Sequence, residues 1–325
     1  MAVAATGFFD GVHLGHRDVI ETLLRSARAR GEQSLILTFW PHPRTVLRDG
    51  ARDLRLLNSM DEKMRRLRDL GVDRVEVLPF SREFASLSAE QYMDLLVSDY
   101  AVTALVLGYD NRFGSDRLST EQIAALAHSR ALDVDLVPAH RMGTVISSTE
   151  IRKALAAGDV SAASAMLGYD YELEGVVVSG NMMGRTIGFP TANLKLREPL
   201  KCLPAAGAYV SRVHVDGREF TGMTNIDHNG KIETHILDFS EDIYGLDMRI
   251  SFIRRLRDEM HFSSFEQLKT QLTIDLAAVR ASSSQAIAEE PSMAASESLS
   301  SEKSSWTLSF HIGQTASFMA LIAGS

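Results

Sequence analysis

The sequence is poor in cysteine and contains no long apolar segment. Its 325 residues include one cysteine, Cys202, which excludes an internal disulfide framework and favours a reducing compartment. No apolar run is long enough to span a bilayer, and no cationic segment with a long apolar core stands near residue 1. These features predict a cytoplasmic protein with no membrane partner.

An excess of positive charge is also absent. The formal net charge of −8 argues against broad nucleic-acid binding, so we predict no nucleic-acid partner. The usual P-loop pattern, Gly-x-x-x-x-Gly-Lys-Ser/Thr, does not occur, and His and Cys do not cluster at the spacing of zinc ligands. The remaining composition, 45% hydrophobic and 23% charged, is that of a globular protein long enough for two domains. It leaves the oligomeric state open, a homo-oligomer included.

The most informative stretch is residues 7–16, which read Gly-Phe-Phe-Asp-Gly-Val-His-Leu-Gly-His. An apolar run at 2–6 predicts a buried strand before it, and apolar residues at helical spacing predict a helix after it. Such a strand-to-helix turn binds anions, because free backbone N–H groups and the helix dipole point outward there. Its glycines allow close approach to a phosphate, and its histidines can donate hydrogen bonds to phosphate oxygens. These residues are Gly7, Gly11, Gly15, His13 and His16. Two surface histidines beside a turn are the alternative.

Apolar runs alternate with helical segments in the first half, which predicts a doubly wound, mainly parallel sheet. The predicted strands are 2–6, 34–39, 74–78, 103–107 and 133–137. Ligands of such sheets bind at the carboxyl ends of the strands, where the loops 7–16, 40–44 and 108–114 can converge. In the later loops, His42 can face a ligand, Asp110 can bind one and Phe113 can stack on a planar ring. A rigid turn, a turn-forming Asp and a core Phe are the alternatives.

The heptapeptide Ile-Ser-Ser-Thr-Glu-Ile-Arg, which ends at Arg152, predicts a second phosphate-binding helix start. Ser147 and Glu150 have the spacing of a capping box. Ser147, Ser148 and Thr149 bring hydroxyl groups to the helix start, and Arg152 adds a cation one turn later. A well-capped helix is the alternative. Two such ends on one sheet favour nucleotidyl transfer, with Mg²⁺ neutralising the leaving pyrophosphate.

The pattern of the sequence changes after Tyr169, from alternating strands and helices to short strand-like runs. Short strand-like runs joined by Gly- and Asp-containing turns predict a small antiparallel barrel or sandwich, closed by a helix from 263 to about 280. The runs are 171–178, 208–215, 233–239 and 248–253. We predict domains at 1–158 and 159–280. Residues 281–325, rich in Ser, Ala and Glu, are predicted to be a disordered tail.

A glycine-rich segment at 180–193 carries the chemistry predicted for the second domain. Its glycines, Gly180, Gly184 and Gly188, permit close approach to a phosphate. Thr191 and Asn193 point the same way along an extended segment and can hold Mg²⁺ through oxygen. Further on, Glu233 is a candidate general base. An ordinary loop is the alternative for the glycine-rich segment.

These motifs resemble those of the prokaryotic bifunctional riboflavin kinase/FMN adenylyltransferase (FAD synthetase) family. The segments similar to its adenylyltransferase motifs are 7–16, 39–43, 108–114 and 146–152. The segments similar to its kinase motifs are 184–193, 233–239 and 256–259, together with Phe262. The resemblance covers about residues 2–280, in the order of the family.

The resemblance implies a Rossmann-like nucleotidyltransferase domain of the His-x-Gly-His type, followed by a riboflavin-kinase β-barrel with a C-terminal helix. The barrel would transfer the γ-phosphate of ATP to riboflavin, giving FMN, with Glu233 as base and Thr191 and Asn193 holding Mg²⁺–ATP. The first domain would join FMN to AMP, giving FAD and pyrophosphate. The implied catalytic residues are His13, His16, Arg152 and Glu233. The implied nucleotide- and substrate-binding residues are Gly7, Phe8, Asp10, Gly15, His42, Asp110, Phe113, Ser147, Ser148, Thr149, Gly180, Gly184, Arg185, Gly188 and Pro190.

The segment before Glu233 departs from the family pattern. The family usually carries Asn-Ile-Gly-x-Arg-Pro-Thr and a longer loop before its Glu, whereas here Asn-Ile-Asp-His-Asn-Gly-Lys leads almost directly to Glu233. An FMN adenylyltransferase with an impaired kinase half is therefore an alternative. A nucleotidyltransferase with another acceptor, such as a pantetheine phosphate, and a non-catalytic flavin- or nucleotide-binding regulator are the others.

Overall fold

The N-terminal half is built on a parallel sheet. The computed structural model describes residues 1–47, 54–109, 111, 114–180 and 183–289. The strands of the sheet are β1 (Ala2–Thr6), β2 (Gln33–Trp40), β3 (Arg74–Pro79), β4 (Val102–Gly108) and β5 (Asp133–Val137). Within the described residues they pair in parallel in the order β3-β2-β1-β4-β5. The predicted doubly wound sheet is confirmed, and each predicted strand lies within an observed one.

Helices cover both faces of this sheet. They are α1 (Leu14–Arg30), α2 (Pro43–Leu47), α3 (Met60–Asp69), α4 (Arg82–Ser86), α5 (Ala89–Tyr100) and α6 (Thr120–Ser129). The central strand β1 is buried throughout, because Val3 and Ala5 pack against α1 while Ala2 and Ala4 pack against α5. Capping boxes start α3 and α5.

A helix pair connects the sheet to the second half. After the two-stranded ribbon of β6 (Arg141–Met142) and β7 (Thr144–Val145) come α7 (Ser148–Ala156) and α8 (Val160–Leu167). One apolar core joins both helices to the barrel that follows. The predicted domain boundary at 158/159 falls in the turn between the helices, and it stays a prediction.

The C-terminal half is a closed antiparallel barrel. Its strands are β8 (Tyr171–Val178), β9 (Ala192–Leu196), β10 (Gly207–Val215), β11 (Arg218–Ile226), β12 (Ile232–Ile236) and β13 (Asp247–Asp258). They pair in the order β10-β11-β12-β9-β8-β13, and β13 pairs with β10 to close the barrel. Every pairing is antiparallel. The predicted barrel or sandwich is therefore a barrel. The sequence pattern does not indicate β11, and the glycine-rich segment before β9 contains a short helix, α9 (Met183–Thr186).

The closing helix α10 (Phe265–Glu289) is longer than predicted. Leu272, Leu276 and Val279 on α10 pack against the barrel residues Val210 and Met223. The helix runs nine residues beyond the predicted end at 280, so the first part of the predicted tail, to Glu289, is helical. Residues 290–325 lie outside the described residues. Among the helices that the structure does describe, none is both long and apolar enough to cross a bilayer.

A polar seam joins α3 to the barrel half. The Lys201 ammonium pairs with the Glu62 carboxylate, and both side chains are 2% exposed. Two further ion pairs join α3 to β8, Arg65–Glu174 at 2.5 Å and Arg66–Glu172 at 2.6 Å. Beside them, Leu56 donates its N–H to the Leu200 carbonyl and accepts from the N–H of Cys202, each at 2.7 Å. The buried Cys202 thus lies on the seam.

Candidate active sites

The loop after β1 has an unusual backbone. Phe9 and Val12 have φ angles of 51° and 39°, in the left-handed region that L-residues avoid, and Gly11 has φ 88°. A Cβ at Gly11 would lie 2.8 Å from Leu57 Cδ1. Tyr169 donates its hydroxyl to the Gly11 carbonyl at 2.7 Å. Gly11 therefore serves the tight turn and its packing against Leu57, while tertiary contacts hold the strained loop.

The two histidines of this loop stack on each other. His13 caps α1 and His16 lies in its first turn, with ring centroids 3.7 Å apart and an interplanar angle of 15°. The His16 backbone N–H donates to His13 Nδ1 at 3.3 Å, so neutral His13 carries its proton on Nε2. Burial lowers the pKa of His13 to about 4 and that of His16 well below its usual value. Both rings are neutral at pH 7, and each can donate one N–H to an anion.

The pair includes a buried ring nitrogen with no partner among the described residues. His16 Nδ1 is buried and makes no hydrogen bond within the described part of the chain. Buried polar atoms are nearly always hydrogen-bonded, so an unpaired one here indicates a ligand or water. The atom lies in the first turn of α1, where the free helix N–H groups favour an anion.

Asp10 fixes Arg152 in place. Its carboxylate, on a residue only 4% exposed, accepts from the N–H groups of Leu57 at 2.9 Å and Asn58 at 3.2 Å, and from the Arg152 guanidinium. Arg152 Nε also donates to the Arg55 carbonyl at 2.6 Å. Burial raises the pKa of Asp10, and the positive charge of Arg152 partly offsets this rise. The oxygens of Asp10, predicted to bind nucleotide, are thus hydrogen-bonded to the chain itself and orient Arg152.

The start of α7 contacts the same loop. Ser148 donates its hydroxyl to the Asp10 carbonyl at 2.9 Å. Ser147 Oγ accepts from the Glu150 N–H at 3.3 Å, while the Glu150 carboxylate pairs with Lys153 at 2.7 Å. The predicted capping box is thus present in one direction. The two predicted phosphate-binding helix starts, α1 and α7, meet at one place.

The loops after β2 and β4 also reach this place. The His42 and Phe8 rings meet edge to face with centroids 4.0 Å apart, and burial lowers the pKa of His42 to about 4. Asn111 donates its side-chain amide to the Thr6 carbonyl at 3.3 Å. Asp110 and Phe113, predicted here as ligand-binding residues, lie outside the described residues. The expected convergence of the three loops is therefore seen at His42 and Asn111.

Lys63 is a cation at this site that the sequence reasoning missed. Its side chain comes from α3 and is 1% exposed. Nζ donates to the Phe8 carbonyl at 2.7 Å and to Thr38 Oγ1 at 3.3 Å, and lies 3.8 Å from the centroid of the Phe8 ring. A signal existed in the sequence, because Lys63 stands four residues before the apolar Leu67 and so shares a helix face with it on α3.

In the barrel, Asn193 and Glu233 share a face. They lie directly opposite each other on β9 and β12, so their side chains point to the same side of the barrel wall. Asn193 Oδ1 is buried and has no hydrogen-bond partner among the described residues. A Cβ at Gly180 would lie 2.2 Å from Asn193 Nδ2, so only glycine fits over this amide. The structure thus brings together Gly180, Asn193 and Glu233.

The segment before β9 folds tightly around Gly184. The Phe189 N–H donates to the Gly184 carbonyl at 2.8 Å. A Cβ at Gly184 would lie 2.2 Å from the Phe189 carbonyl oxygen and 3.5 Å from Thr191 Oγ1. Glycine is therefore required here for approach to the chain's own backbone. Four other residues predicted to bind nucleotide or substrate are exposed, namely Thr149, Arg185, Gly188 and Pro190.

The oxygen donors here fit Mg²⁺. Magnesium prefers hard oxygen ligands and is usually bound by few protein groups together with substrate phosphates. The unpartnered Asn193 Oδ1 and the hydroxyl of Thr191, two residues earlier, match this preference. Within the described ranges, no group of three His, Cys, Asp or Glu side chains could hold a metal by itself.

A tight turn stands where the resemblance predicts a longer loop. Asp227 Oδ1 accepts from the N–H groups of Asn229 at 2.9 Å and Lys231 at 2.8 Å, which closes the β11–β12 connection. The turn places the Lys231 ammonium 2.7 Å from the Glu233 carboxylate. The candidate base is therefore paired with a cation from its own hairpin.

The parallel sheet with its paired histidines, joined to this barrel, is the architecture of a nucleotidyltransferase domain linked to a flavokinase domain. The FAD synthetase family model matches residues 1–150, and the riboflavin kinase family model matches residues 167–283. The chain belongs to the bifunctional riboflavin kinase/FMN adenylyltransferase family.

Relatives of that name match most of the chain. The Listeria monocytogenes protein is 36% identical over 283 residues, covering 84% of this chain and 90% of that protein. The Escherichia coli K12 protein is 34% identical over 284 residues, with the same coverage. A solved structure titled as a macrolide-efflux protein from Streptococcus pneumoniae superposes with a TM-score of 0.80 at 33% identity, covering 86% of this chain and 93% of that one.

Proposed function

We propose that this chain makes FAD from riboflavin in two ATP-dependent reactions at separate sites. We assign adenylylation of FMN to residues 1–158 and phosphorylation of riboflavin to residues 159–280. The observation that supports this proposal is that one chain contains the candidate residues for both reactions. The stacked His13 and His16 lie near Arg152, which pairs with the buried Asp10, and Asn193 lies opposite Glu233.

In adenylyl transfer, a phosphate oxygen of FMN attacks the α-phosphorus of ATP, and the bond to pyrophosphate breaks. The neutral His13 and His16 donate N–H groups to the phosphate oxygens, and Arg152, held by Asp10, supplies a fixed positive charge. Donors that are already oriented stabilise the developing charge without reorganising. No covalent intermediate with the protein is needed.

In the kinase reaction, Glu233 accepts the proton of a ribityl hydroxyl, whose oxygen attacks the γ-phosphorus of ATP while ADP leaves. Thr191 and Asn193 would hold Mg²⁺, which neutralises phosphate charge when it is bound. The position of Glu233 directly across from Asn193 supports this role, because a base there would lie next to phosphates held through Asn193. We propose riboflavin, FMN and ATP as the substrates, with the cytoplasm as the location.

A second candidate function is FMN adenylylation with an impaired kinase half. The closed turn from Asp227 to Lys231 favours it, because the family's longer loop is missing beside the barrel site. The pairing of Lys231 with Glu233 favours it further, because the base must leave this partner to accept a proton.

Product analysis separates these functions. With ATP and Mg²⁺, the bifunctional enzyme should form FMN and FAD from riboflavin, and FAD from FMN. The impaired-kinase enzyme should form FAD from FMN alone. Absence of both products from folded protein would contradict both candidates.

Two variants test the separation of the sites. His16→Ala should abolish FAD formation and leave FMN formation intact, because it removes a phosphate donor from the first domain only. Glu233→Ala should abolish FMN formation and leave the conversion of FMN to FAD intact. Loss of both reactions in either variant, with the fold preserved by circular dichroism, would show that the sites are not separate.

A further inference from the structure

Lys63 is a buried cation whose direct partners are neutral. Its ammonium group contacts the Phe8 carbonyl oxygen, the Thr38 hydroxyl and the face of the Phe8 ring. Phe8 opens the loop that carries both histidines, and its ring contacts His42. Lys63 thus connects the ends of β1 and β2 underneath the proposed triphosphate site.

The charges around Lys63 leave the site positive. The groups that interact with it electrostatically are Asp10 from the loop after β1, His16 from α1 and His42 from the loop after β2. Both histidines are neutral at pH 7, and the Asp10 carboxylate is in contact with Arg152. Two cations therefore face one carboxylate in a largely buried place. Such an imbalance is costly unless an anion completes it.

We propose that Lys63 is a positioning residue for adenylyl transfer. Acting through the Phe8 carbonyl and ring, its ammonium group holds the strained loop in the shape that receives the triphosphate of ATP. This inference rests on the proposed adenylyltransferase activity. It assigns Lys63 no contact with the substrate, and the barrel reaction does not depend on it.

The charge of Lys63 is sensitive to pH. Burial lowers the pKa of Lys63 to about 8, although Asp10 opposes this shift. As the pH rises through about 8, the free enzyme loses the charge that holds Phe8. An arginine at this position would stay charged throughout this range.

The experiment compares Lys63→Met, Lys63→Arg and the wild-type protein, with Lys269→Met as the control. Lys269 is an exposed lysine on α10. FMN adenylylation is measured with FMN and ATP, and riboflavin phosphorylation by the same preparation reports whether the chain is folded. We expect kcat/KM for ATP in adenylylation to fall about 100-fold in Lys63→Met, as misplacement of a substrate by about 1 Å does. Phosphorylation should stay within about twofold of wild type, and Lys269→Met should change neither reaction.

The pH profile tests the role of the charge. In the wild type, kcat/KM for ATP should fall above about pH 8, because this parameter reports the ionisation of the free enzyme. Lys63→Arg should lack this alkaline fall. If Lys63→Met loses both reactions and is unfolded, the pH profiles of wild type and Lys63→Arg test the role of the Lys63 charge instead.

Two results overturn the inference: adenylylation by folded Lys63→Met at the wild-type rate, or the same alkaline fall in wild type and Lys63→Arg. If the wild type forms no FAD from FMN, the proposed function itself has failed. If it forms FAD and Lys63→Met matches it, only the role of Lys63 has failed.

Discussion

At the scale of single residues, the buried imidazoles set how stability depends on pH. His13 has a folded-state pKa of about 4, against 6.5 for an exposed histidine. Between these values the unfolded chain binds a proton that folded His13 does not. The free energy of unfolding should therefore fall as the pH drops from 6.5 to 4, by up to about 3 kcal/mol for this residue, at 1.36 kcal/mol per pH unit. At pH 7 the residue is neutral in both states and contributes nothing to this dependence.

His13→Gln tests this dependence. Urea unfolding at pH 6.5 and pH 4.5 should show a smaller loss of stability in His13→Gln than in the wild type. His128→Gln, which changes an exposed histidine at the end of α6, should match the wild type. An equal loss in His13→Gln and wild type would mean that His13 is not buried in its neutral form.

Residue patterns in the sequence predict part of the first candidate site. The His-x-Gly-His tetrad and the Ser-rich helix start stand out because their residue types bind phosphate wherever a strand turns into a helix. The role of Asp10 could not be inferred, because its partners Leu57 and Asn58 are more than forty positions away. Lys63 was missed because a lysine in an amphipathic helix is usually exposed.

At the scale of elements, α3 depends on its first turn. Ser59 Oγ accepts from the Glu62 N–H at 3.1 Å, and the Glu62 carboxylate accepts from the Ser59 N–H at 2.9 Å. Ser59→Ala should lower the free energy of unfolding by about 1 kcal/mol, because it leaves an N–H group of the first turn without its partner. Ser98→Ala, at an exposed site on α5, should change it by less than about 0.5 kcal/mol.

Chemical denaturation of both variants measures the difference. Equal stability of Ser59→Ala and Ser98→Ala would show that the capping box does not stabilise the folded chain. Adenylylation by Ser59→Ala is a second readout, because Lys63 lies on the same helix.

The elements that could be predicted are those with a strong local signal. Short apolar runs marked β1, β2 and β4, because strands covered on both faces must be apolar on both sides. The edge strands β3 and β5 instead alternate polar and apolar residues. β11 was missed because Gly222 and its threonines dilute its apolar pattern, and cross-strand contacts decide its conformation. The continuation of α10 to Glu289 was not predicted, because its three consecutive serines favour caps and turns over helix interiors.

At the scale of the whole molecule, the buried Glu62–Lys201 pair joins the two halves. Breaking a buried pair leaves an uncompensated charge, so Glu62→Gln and Lys201→Met should each cost about 3–5 kcal/mol. The double variant should cost clearly less than the sum of the single changes, because it leaves neither charge behind.

The exposed pair of Arg197 and Asp247 provides the matched control. Their side chains are 55% and 68% exposed, so breaking this pair by Asp247→Asn should cost no more than about 1 kcal/mol. Denaturant unfolding of the set measures all four values. Additive costs for Glu62→Gln and Lys201→Met would contradict the coupling of the two halves through this pair.

The same seam gives the chain a built-in reporter. Cys202 is the sole thiol of the sequence, and it is buried where its N–H is bonded to Leu56. Burial raises the pKa of this thiol, so little of the reactive thiolate forms while the seam is closed. Alkylation of the native protein should therefore require opening of the structure around Cys202. The rate at which Cys202 is labelled therefore reports how often the structure opens there, without an engineered probe.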